Sequence, residues 1–546
     1  MRSMRRLLPA AIVLVVALAC ATASQSAITF VFKGKGWGHG IGLSQYGAQG
    51  FALNGRTYKQ ILGHFYQGTT LGTRSATIRV RLAAGRSSVN LGSAAIFKAG
   101  AANVAGGAAW RVTAPASGGI RLTRSGTVRN FPSPTTFRPG SASLVLNGRA
   151  YRGAIVVRRS GSTVWALNVL GLDPYVKGVV PQEMPTSWHV EALKAQAVAA
   201  RSYALAAGGH CSWFGTSVMC PDTSDQVYGG RSAEAASSNA AVDATAGQVA
   251  LSGGAVATTF FFSTSGGKTA SIADEWGSAP RPYLVSVPDP FDSISPHHAW
   301  GPGDPQIDCP GTAPDCVWNG AALKRKMGTR VPAGLTDLVV TSRNGSSRVA
   351  TVRANGAGVP RTFTGATARS VLGLRSTWFT IGVLRLAGAG TIEWGRTRSL
   401  PALARNLAAV QLQRRPAGGS WVNVRAVLGA TTITAGPRVT TFYRLRNASA
   451  ATAPVRVAVR PQLRFTANQP PGSLRGTIRP VLTGKTIRLQ RRTSAGWRTV
   501  DTAVVNADGI WRAVFNVTPG VYRAYIATPG SGYVPGASPT VTVVAG

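Results

Sequence analysis

The chain of 546 residues carries 59 Lys and Arg against 18 Asp and Glu, a formal charge of +41. Its length exceeds what one hydrophobic core organises and predicts two to four domains. Beyond the first residues no run reaches the ~18 apolar residues of a spanning helix, which excludes an integral helical membrane protein, and the charge points to polyanionic partners.

Arg2, Arg5 and Arg6, the apolar residues 7–19 and Ala21-Thr22-Ala23 have the order of an export signal, predicted over 1–23. The apolar run is too short to cross a bilayer. A lipid anchor at Cys20 is the less favoured alternative, because Leu18 stands one place off the usual order. An exported protein meets other polyanions before nucleic acid: phosphate-bearing wall polymers, uronic acids, lipid headgroups and the carboxylates of peptidoglycan all qualify, so a secreted, wall-associated protein with anionic wall polymers and not nucleic acid as partner is expected; the bland alternative is that the arginines reflect compositional bias. Cleavage leaves Cys211, Cys220, Cys309 and Cys316. In an oxidising compartment these locally paired cysteines predict two small disulfide loops, with four buried thiols as the alternative.

In Gly34-Lys-Gly-Trp-Gly-His-Gly-Ile-Gly-Leu-Ser-Gln-Tyr-Gly47, glycines fall at every second position. An extended chain would put them on one face, opposite Lys35, Trp37, His39 and Ile41, leaving bare backbone for a strand or a sugar ring. His39 is either a ligand contact or a histidine satisfied by backbone. A helix follows, then Asn54-Gly55, then Thr57-Tyr-Lys-Gln60, the form of a capping box. Residues 75–170 alternate apolar and polar residues in short runs and predict antiparallel strands.

Glu183 lies between Pro181 and Pro185, ahead of a helix expected over 188–206 and capped by Thr186 or Ser187. Along that helix Glu191, Lys194, Val198 and Arg201 share one side and Leu193, Ala197, Ala200 and Ala204 another. Glu183 is a candidate general acid or a surface turn residue; Lys194 and Arg201 line a cleft or form a solvated face. Helical pattern recurs over 233–245, and strands are expected over 248–251 and 255–262. The last ends in Ser263-Thr-Ser265-Gly-Gly, a hydroxyl-rich turn suited to carbohydrate but also ordinary after a strand. The mixture predicts an α+β domain over 30–379. Further on, Leu412-Gln-Arg-Arg with Trp421 recurs as Leu489-Gln-Arg-Arg with Trp497, and Phe442-Tyr-Arg as Val521-Tyr-Arg. Two all-β, Ig-like sandwich repeats are expected over 380–465 and 466–546, acting as spacer or as wall anchor.

Val179-Val-Pro-Gln-Glu-Met-Pro with Glu191-Ala-Leu-Lys-Ala-Gln-Ala-Val-Ala-Ala-Arg, Asp225-Gln-Val-Tyr-Gly, Ser263-Thr-Ser-Gly-Gly and the Gly-His-Gly segment together resemble the SpoIID/LytB family. That family contains lytic transglycosylases acting on peptidoglycan glycan strands and enhancers of wall amidases. The resemblance implies Glu183 as catalytic acid, with Lys194, Arg201, His39, Ser44, Gln45 and Ser265 contacting substrate. It implies cleavage between N-acetylmuramic acid and N-acetylglucosamine with a 1,6-anhydro product, or else binding that stimulates an amidase partner. In many members the Gly-His-Gly segment follows the Ser-Gly-Gly turn; here it comes first, as in a permuted chain. Some members hold a Cys/His cluster before Gln-Val-Tyr. Cys220-Pro-Asp-Thr-Ser-Asp225 lacks that set, so a Cys211–Cys220 disulfide, no metal and no cofactor are expected. Phe261 and Phe262 stand where the family often has tyrosine. A hydrolase would need a second carboxylate, for which Asp173, Asp222, Asp225, Asp274 and Glu275 are available.

Overall fold

The computed structural model describes residues 27–302, 316–467 and 469–544. The expected export signal, Cys20 and Cys309 lie outside the described residues. Among the described residues no helix is long and apolar enough to cross a membrane.

The architecture is α+β and predominantly strand. Helices α1 (Gln45–Leu53), α2 (Tyr58–Phe65), α3 (Leu172–Glu183) and α5 (Ala236–Asp243) surround α4 (Val190–Ala206). Why α4 occupies the middle follows from its composition. Ala192, Ala195, Ala197, Ala199 and Ala200 are all fully buried, and their short side chains let four helices approach one backbone closely. The helix starts at Val190 with His189 as N-cap, its ring accepting from the Glu191 N–H, so the expected cap at Thr186 or Ser187 is not used. The Thr57–Gln60 capping box is present at the start of α2.

Residues 75–170 form two six-stranded antiparallel sheets. One runs from Thr77–Arg86 through Thr163–Gly171, Ala154–Ser160 and Thr135–Arg138 to Phe97–Ala99 and Ala102–Val104; the other centres on Trp110–Thr113 and Ser88–Gly92. Val112, Leu122, Ile155, Val157 and Val164, all fully buried, share one core with the helices. The strand Thr163–Gly171 leads directly into α3, which is how this β-rich part positions Glu183.

The first described strand, Ala27–Lys35, pairs antiparallel with Phe379–Leu386 from Ala27↔Leu386 to Gly34↔Phe379. The sheet continues through Arg398–Arg405 and Gly429–Ala435. The boundary expected at 379/380 therefore falls inside a sheet. Ile28, Phe30 and Phe32 build a second core with α7 (Gly320–Met327), α8 (Gly365–Leu372) and Phe379, Ile381 and Val383. A further short helix, α6 (Ile272–Trp276), follows the Ser263–Gly267 turn.

Beyond this sheet the repeat is visible as geometry. Gln411–Pro416 pairs with Thr441–Arg446, placing Arg414 opposite Tyr443; Thr486–Thr493 pairs with Gly520–Ile526, placing Arg491 opposite Tyr522. Each repeat has its own core, one around Leu412, Tyr443 and Leu445, the other around Leu489, Trp511 and Tyr522.

The close packing on α4 has a direct test. Ala200→Leu inserts a branched side chain where no space exists and is expected to lower unfolding free energy by about 1–3 kcal/mol, read by chemical denaturation; an unchanged transition contradicts the packing described.

Candidate functional site

Glu183 is the last residue of α3, not a turn residue ahead of α4 as the prolines suggested. Pro181 is accommodated inside the last turn, and the Met184 N–H donates to the Val180 carbonyl at 3.0 Å. The prolines frame a helix C-terminus instead of a helix start. That placement matters electrically, because a C-terminal helix end does not stabilise a carboxylate as an N-terminal end would.

The Glu183 carboxyl group is partly buried and has two donors. The Val227 N–H lies 2.8 Å from Oε1, and Gln45 Nε2 lies 3.4 Å from Oε2. Burial raises its pKa above the ordinary carboxylate range, opposed by the Val227 and Gln45 hydrogen bonds. Each donor is held by its own device. Val227 belongs to a loop fixed by the Cys211–Cys220 disulfide and by Asp225, whose carboxylate accepts the Cys220 N–H at 2.7 Å and the His210 N–H at 3.0 Å. Between them Gln226 is fully buried, bonded to the Tyr175 hydroxyl and to the Ala200 carbonyl of α4.

Gln45 is held from the other side. It is the first residue of α1, whose N-cap Ser44 accepts the Gly47 N–H at 3.1 Å and donates to Asp292 at 2.9 Å. Asp292 is fully buried and also accepts Thr264 Oγ1 (2.6 Å), the Ser265 and Gly266 N–H groups (2.9 Å each) and His298 Nδ1 (3.0 Å). One carboxylate thus ties the hydroxyl-rich turn to the start of α1. Beside it, Asp289 accepts the Ser265 hydroxyl at 2.8 Å, and its pKa is pushed up to about 7 by burial and by the Asp292 charge. Gly47 is required here, since a Cβ would lie 2.3 Å from Asp289 Oδ2.

The glycine alternation proves to be a series of bends. Gly36, Gly38, Gly40 and Gly42 have φ of 74°, 119°, 83° and 78°, which side-chain-bearing residues rarely adopt. The expected extended segment with one bare face is therefore not formed. Trp37 bridges to Thr264, and Leu43–Ser44 pairs in parallel with Phe261–Phe262, so the early segment sits against the hydroxyl-rich turn despite its place in the chain.

His39 Nδ1 accepts the Ile41 N–H at 3.0 Å, which puts the proton on Nε2, facing the Phe261 carbonyl at 3.1 Å. Burial, then the charge of Arg369, lowers its pKa to about 3, so the ring is neutral. It packs among Phe260, Phe262 and Trp276 and borders a cleft of about 500 Å³ shared with Tyr203, His210 and Asp225. Both His39 nitrogens are thus met by backbone groups, while the partly exposed ring borders the cleft.

Three expected substrate contacts are used internally. Arg201 is fully buried, its guanidinium bonded to Asp173, Thr245 Oγ1 and the Val242 carbonyl, so it joins α3, α4 and α5 and faces no cleft. Helical spacing placed it on the Lys194 side, but that side is covered. Ser44 and Ser265 are likewise fully buried, with hydroxyls engaged by Asp292 and Asp289. Lys194 is partly exposed; its ammonium pairs with Glu191 at 2.6 Å, while Glu191 also accepts the Tyr58 N–H at 2.7 Å, tying α4 to α2. Of the expected set, Gln45 is brought onto Glu183.

Residues that the sequence reading passed over are Val227, which acts through its backbone, and the pair Asp289 and Asp292. Two acids so close together in an acid-poor chain were the available signal. Next to Gln45, the Tyr46 ring meets Trp188, in the loop after Glu183, edge-on at 4.8 Å. Both rings are partly exposed. Among the described residues no three His, Cys, Asp or Glu side chains converge to hold a metal ion.

Residues 160–251, which run from the strand entering α3 through Glu183, α4, the disulfide loop and α5, match the model of SpoIID, Stage II sporulation protein. This domain belongs to the SpoIID/LytB family. An uncharacterized protein of Brachyspira hyodysenteriae is 39% identical over 145 residues, covering 26% of this chain and 38% of its own length. The Amidase enhancer of Bacillus subtilis is 42% identical over 118 residues, 21% of this chain and 15% of its own. Stage II sporulation protein D of Bacillus amyloliquefaciens is 32% identical over 222 residues, 38% of this chain and 59% of its own. The chain thus spans less than two thirds of each relative's length.

The Asp292 node makes a prediction for this domain. Asp292→Ala leaves buried N–H and O–H groups of Ser44, Thr264, Ser265 and Gly266 without an acceptor and is expected to cost about 3 kcal/mol or more. Asp292→Asn, which keeps one oxygen, is expected to cost less; equal midpoints for all three proteins in urea unfolding contradict the role assigned.

Proposed function

We propose that the protein cleaves peptidoglycan glycan strands as a lytic transglycosylase, with Glu183 as the single acid/base. The observation that supports this most is the raised pKa of a partly buried Glu183 whose carboxylate form is met by two donors from separately braced segments. A group so placed holds its proton at a higher pH than an ordinary carboxyl group and can still be re-formed as a carboxylate.

In the first half of the reaction Glu183 donates its proton to the glycosidic oxygen as the C1–O bond of N-acetylmuramic acid breaks. The 6-hydroxyl then closes on C1 and gives its proton to Glu183, which returns to its starting state. The new ring bond replaces the broken one, so no water is consumed. Gln45 and the Val227 N–H stabilise the intermediate carboxylate. Tyr46 and Trp188, partly exposed beside the acid, offer rings against which a sugar can stack.

The hydrolytic alternative needs a second carboxylate free to act, and the other acids are engaged elsewhere or exposed. Asp173 is paired with Arg201, Asp225 with His210 and Tyr203, Asp274 with Ser346, and Glu275 with Thr377. Asp222 is exposed and accepts the Ser224 N–H.

A second reading has its own support: the relative named Amidase enhancer, and the internal use of Arg201, Ser44 and Ser265, which leaves few polar side chains facing a substrate. In that reading the protein binds wall glycan and stimulates an amidase without bond cleavage.

Mass spectrometry of peptidoglycan digests separates the two. Wild-type protein is expected to release 1,6-anhydro ends, and Glu183→Gln to release them about 10²–10⁴-fold more slowly. If neither protein cleaves glycan and both stimulate an amidase equally, the enhancer reading stands and the enzyme reading fails. The pH dependence has a fixed sign: because the Glu183 pKa is raised, cleavage persists above the usual carboxylate range and falls as pH rises through the shifted value. A loss centred on the ordinary glutamate range would mean that burial does not control the group.

A further inference from the structure

The charge of the C-terminal repeats is used by neither reading of the site. From residue 380 onward 22 basic residues, all but one of them Arg, stand against Glu393, Asp501 and Asp508. Glu393 is already paired with Arg464.

The repeats place these arginines in matching constellations. In the first, Arg444 Nε donates to Gln413 Oε1 at 2.8 Å, Gln413 Nε2 donates to Asn423 Oδ1 at 2.9 Å, and the Arg444 guanidinium lies 4.1 Å over the Trp421 ring. In the second, Arg523 Nε donates to Gln490 Oε1 at 2.8 Å, Gln490 Nε2 lies 3.4 Å from Thr499 Oγ1, and the guanidinium lies 4.3 Å over Trp497. A second arginine approaches each indole, Arg415 at 5.1 Å and Arg492 at 5.9 Å. In both repeats Trp421 or Trp497 belongs to or directly precedes the strand at the edge of its sheet. The same glutamine, stacked arginine and tryptophan thus recur at the same register, with two like charges gathered over one ring. Among the described residues no carboxylate pairs with Arg415, Arg444, Arg492 or Arg523. Folding alone gains little from concentrating charge in this way; an anion from outside relieves it.

The details select the kind of anion. The glutamine occupies Nε and leaves each stacked guanidinium its two terminal NH2 groups, a fork suited to paired anionic oxygens. The indoles are already covered by guanidinium groups, which removes the open aromatic platform that unpaired nucleic acid bases require. Two charges over one ring call for a ligand with closely repeated charge on a flexible backbone. A phosphodiester-linked polyol meets this, whereas a uronic acid chain carries its carboxylates on alternate sides of a stiff ring backbone. The structure assigns to the two repeats a duplicated binding site for a phosphodiester-linked polyol polymer, centred on Arg444 with Trp421 and on Arg523 with Trp497. Backbone hydrogen bonds from Thr440 to Gly532 and from Val534 to Val459 join the repeats, so both stations ride on one connected body and bind one chain with added strength.

The test is calorimetry on the full chain with poly(glycerol phosphate) at low salt. Binding that weakens as salt rises is expected. Arg444→Gln or Arg523→Gln alone is expected to weaken it several-fold and the double substitution more than about tenfold, in proteins whose cooperative melting transition shows that they remain folded. Arg444→Lys with Arg523→Lys keeps the charge and loses the fork, and is expected to recover only part of the loss. Polyglucuronate and duplex DNA are expected to bind at least about tenfold more weakly than the phosphate polymer. Unchanged binding by the double Gln variant, full recovery by the Lys variant, or equal binding of polyglucuronate or DNA would each overturn the assignment. The Glu183→Gln protein is expected to bind the polymer as wild type does, so this outcome is independent of whether the chain cuts glycan.

Discussion

A carboxylate removed from water must be met by donors on every side, and Asp292 imposes that requirement on three distant parts of the chain. It draws a hydroxyl from Ser44, a hydroxyl and two backbone N–H groups from 264–266, and a ring nitrogen from His298. Satisfying it brings the start of α1 to the hydroxyl-rich turn, and the start of α1 carries Gln45 to Glu183. The order of segments along the chain is then immaterial to the site. What counts is that each segment supplies its donor.

The same reasoning explains why Glu183 resists ionisation without being isolated. Its neighbours are a backbone N–H and an amide, neutral groups that orient a carboxylate without the strong pull of a nearby cation. Lys194 and Arg201, the cations that spacing put on the adjoining helix, are neutralised by Glu191 and Asp173. A site surrounded by arginine in composition is thus sheltered from arginine locally, and the balance between burial and hydrogen bonding decides the acid strength.

What could be read from the residues alone divides along physical lines. The α+β class, the strands of 75–170, the alanine face of α4, the capping box at Thr57 and the Cys211–Cys220 pair were legible, because each depends on local pattern or on short spacing. The repeat was legible too, since Gln413 and Gln490 recur with their arginines and tryptophans. The helical state of Glu183 was not: Pro181 reads as a breaker, yet it fits the last turn of α3. Spacing also put Arg201 on a side that could line a cleft, and only the packing of α3 and α5 shows that side to be interior. The glycines at 36, 38, 40 and 42 have a strand's period but serve positive φ, and period alone does not distinguish the two. Asp292 was invisible because its partners are spread over the chain and several of them are backbone groups.

The pairing of Ala27–Lys35 with Phe379–Leu386 has a consequence for the order of assembly. The first described strand stays without its main neighbour until Leu386 has been added, and its buried residues Phe30 and Phe32 wait for Phe379 and Ile381. Local hairpins in 75–170 need no such delay, so the β-rich part forms early and the sheet that closes the molecule forms late. Any shortened chain that stops before this second strand leaves the first with an unpaired edge and an exposed aromatic face, a surface prone to pairing with another molecule. The strand Phe379–Leu386 thereby serves as a check on completeness: only a chain made through to Leu386 can cover the strand Ala27–Lys35.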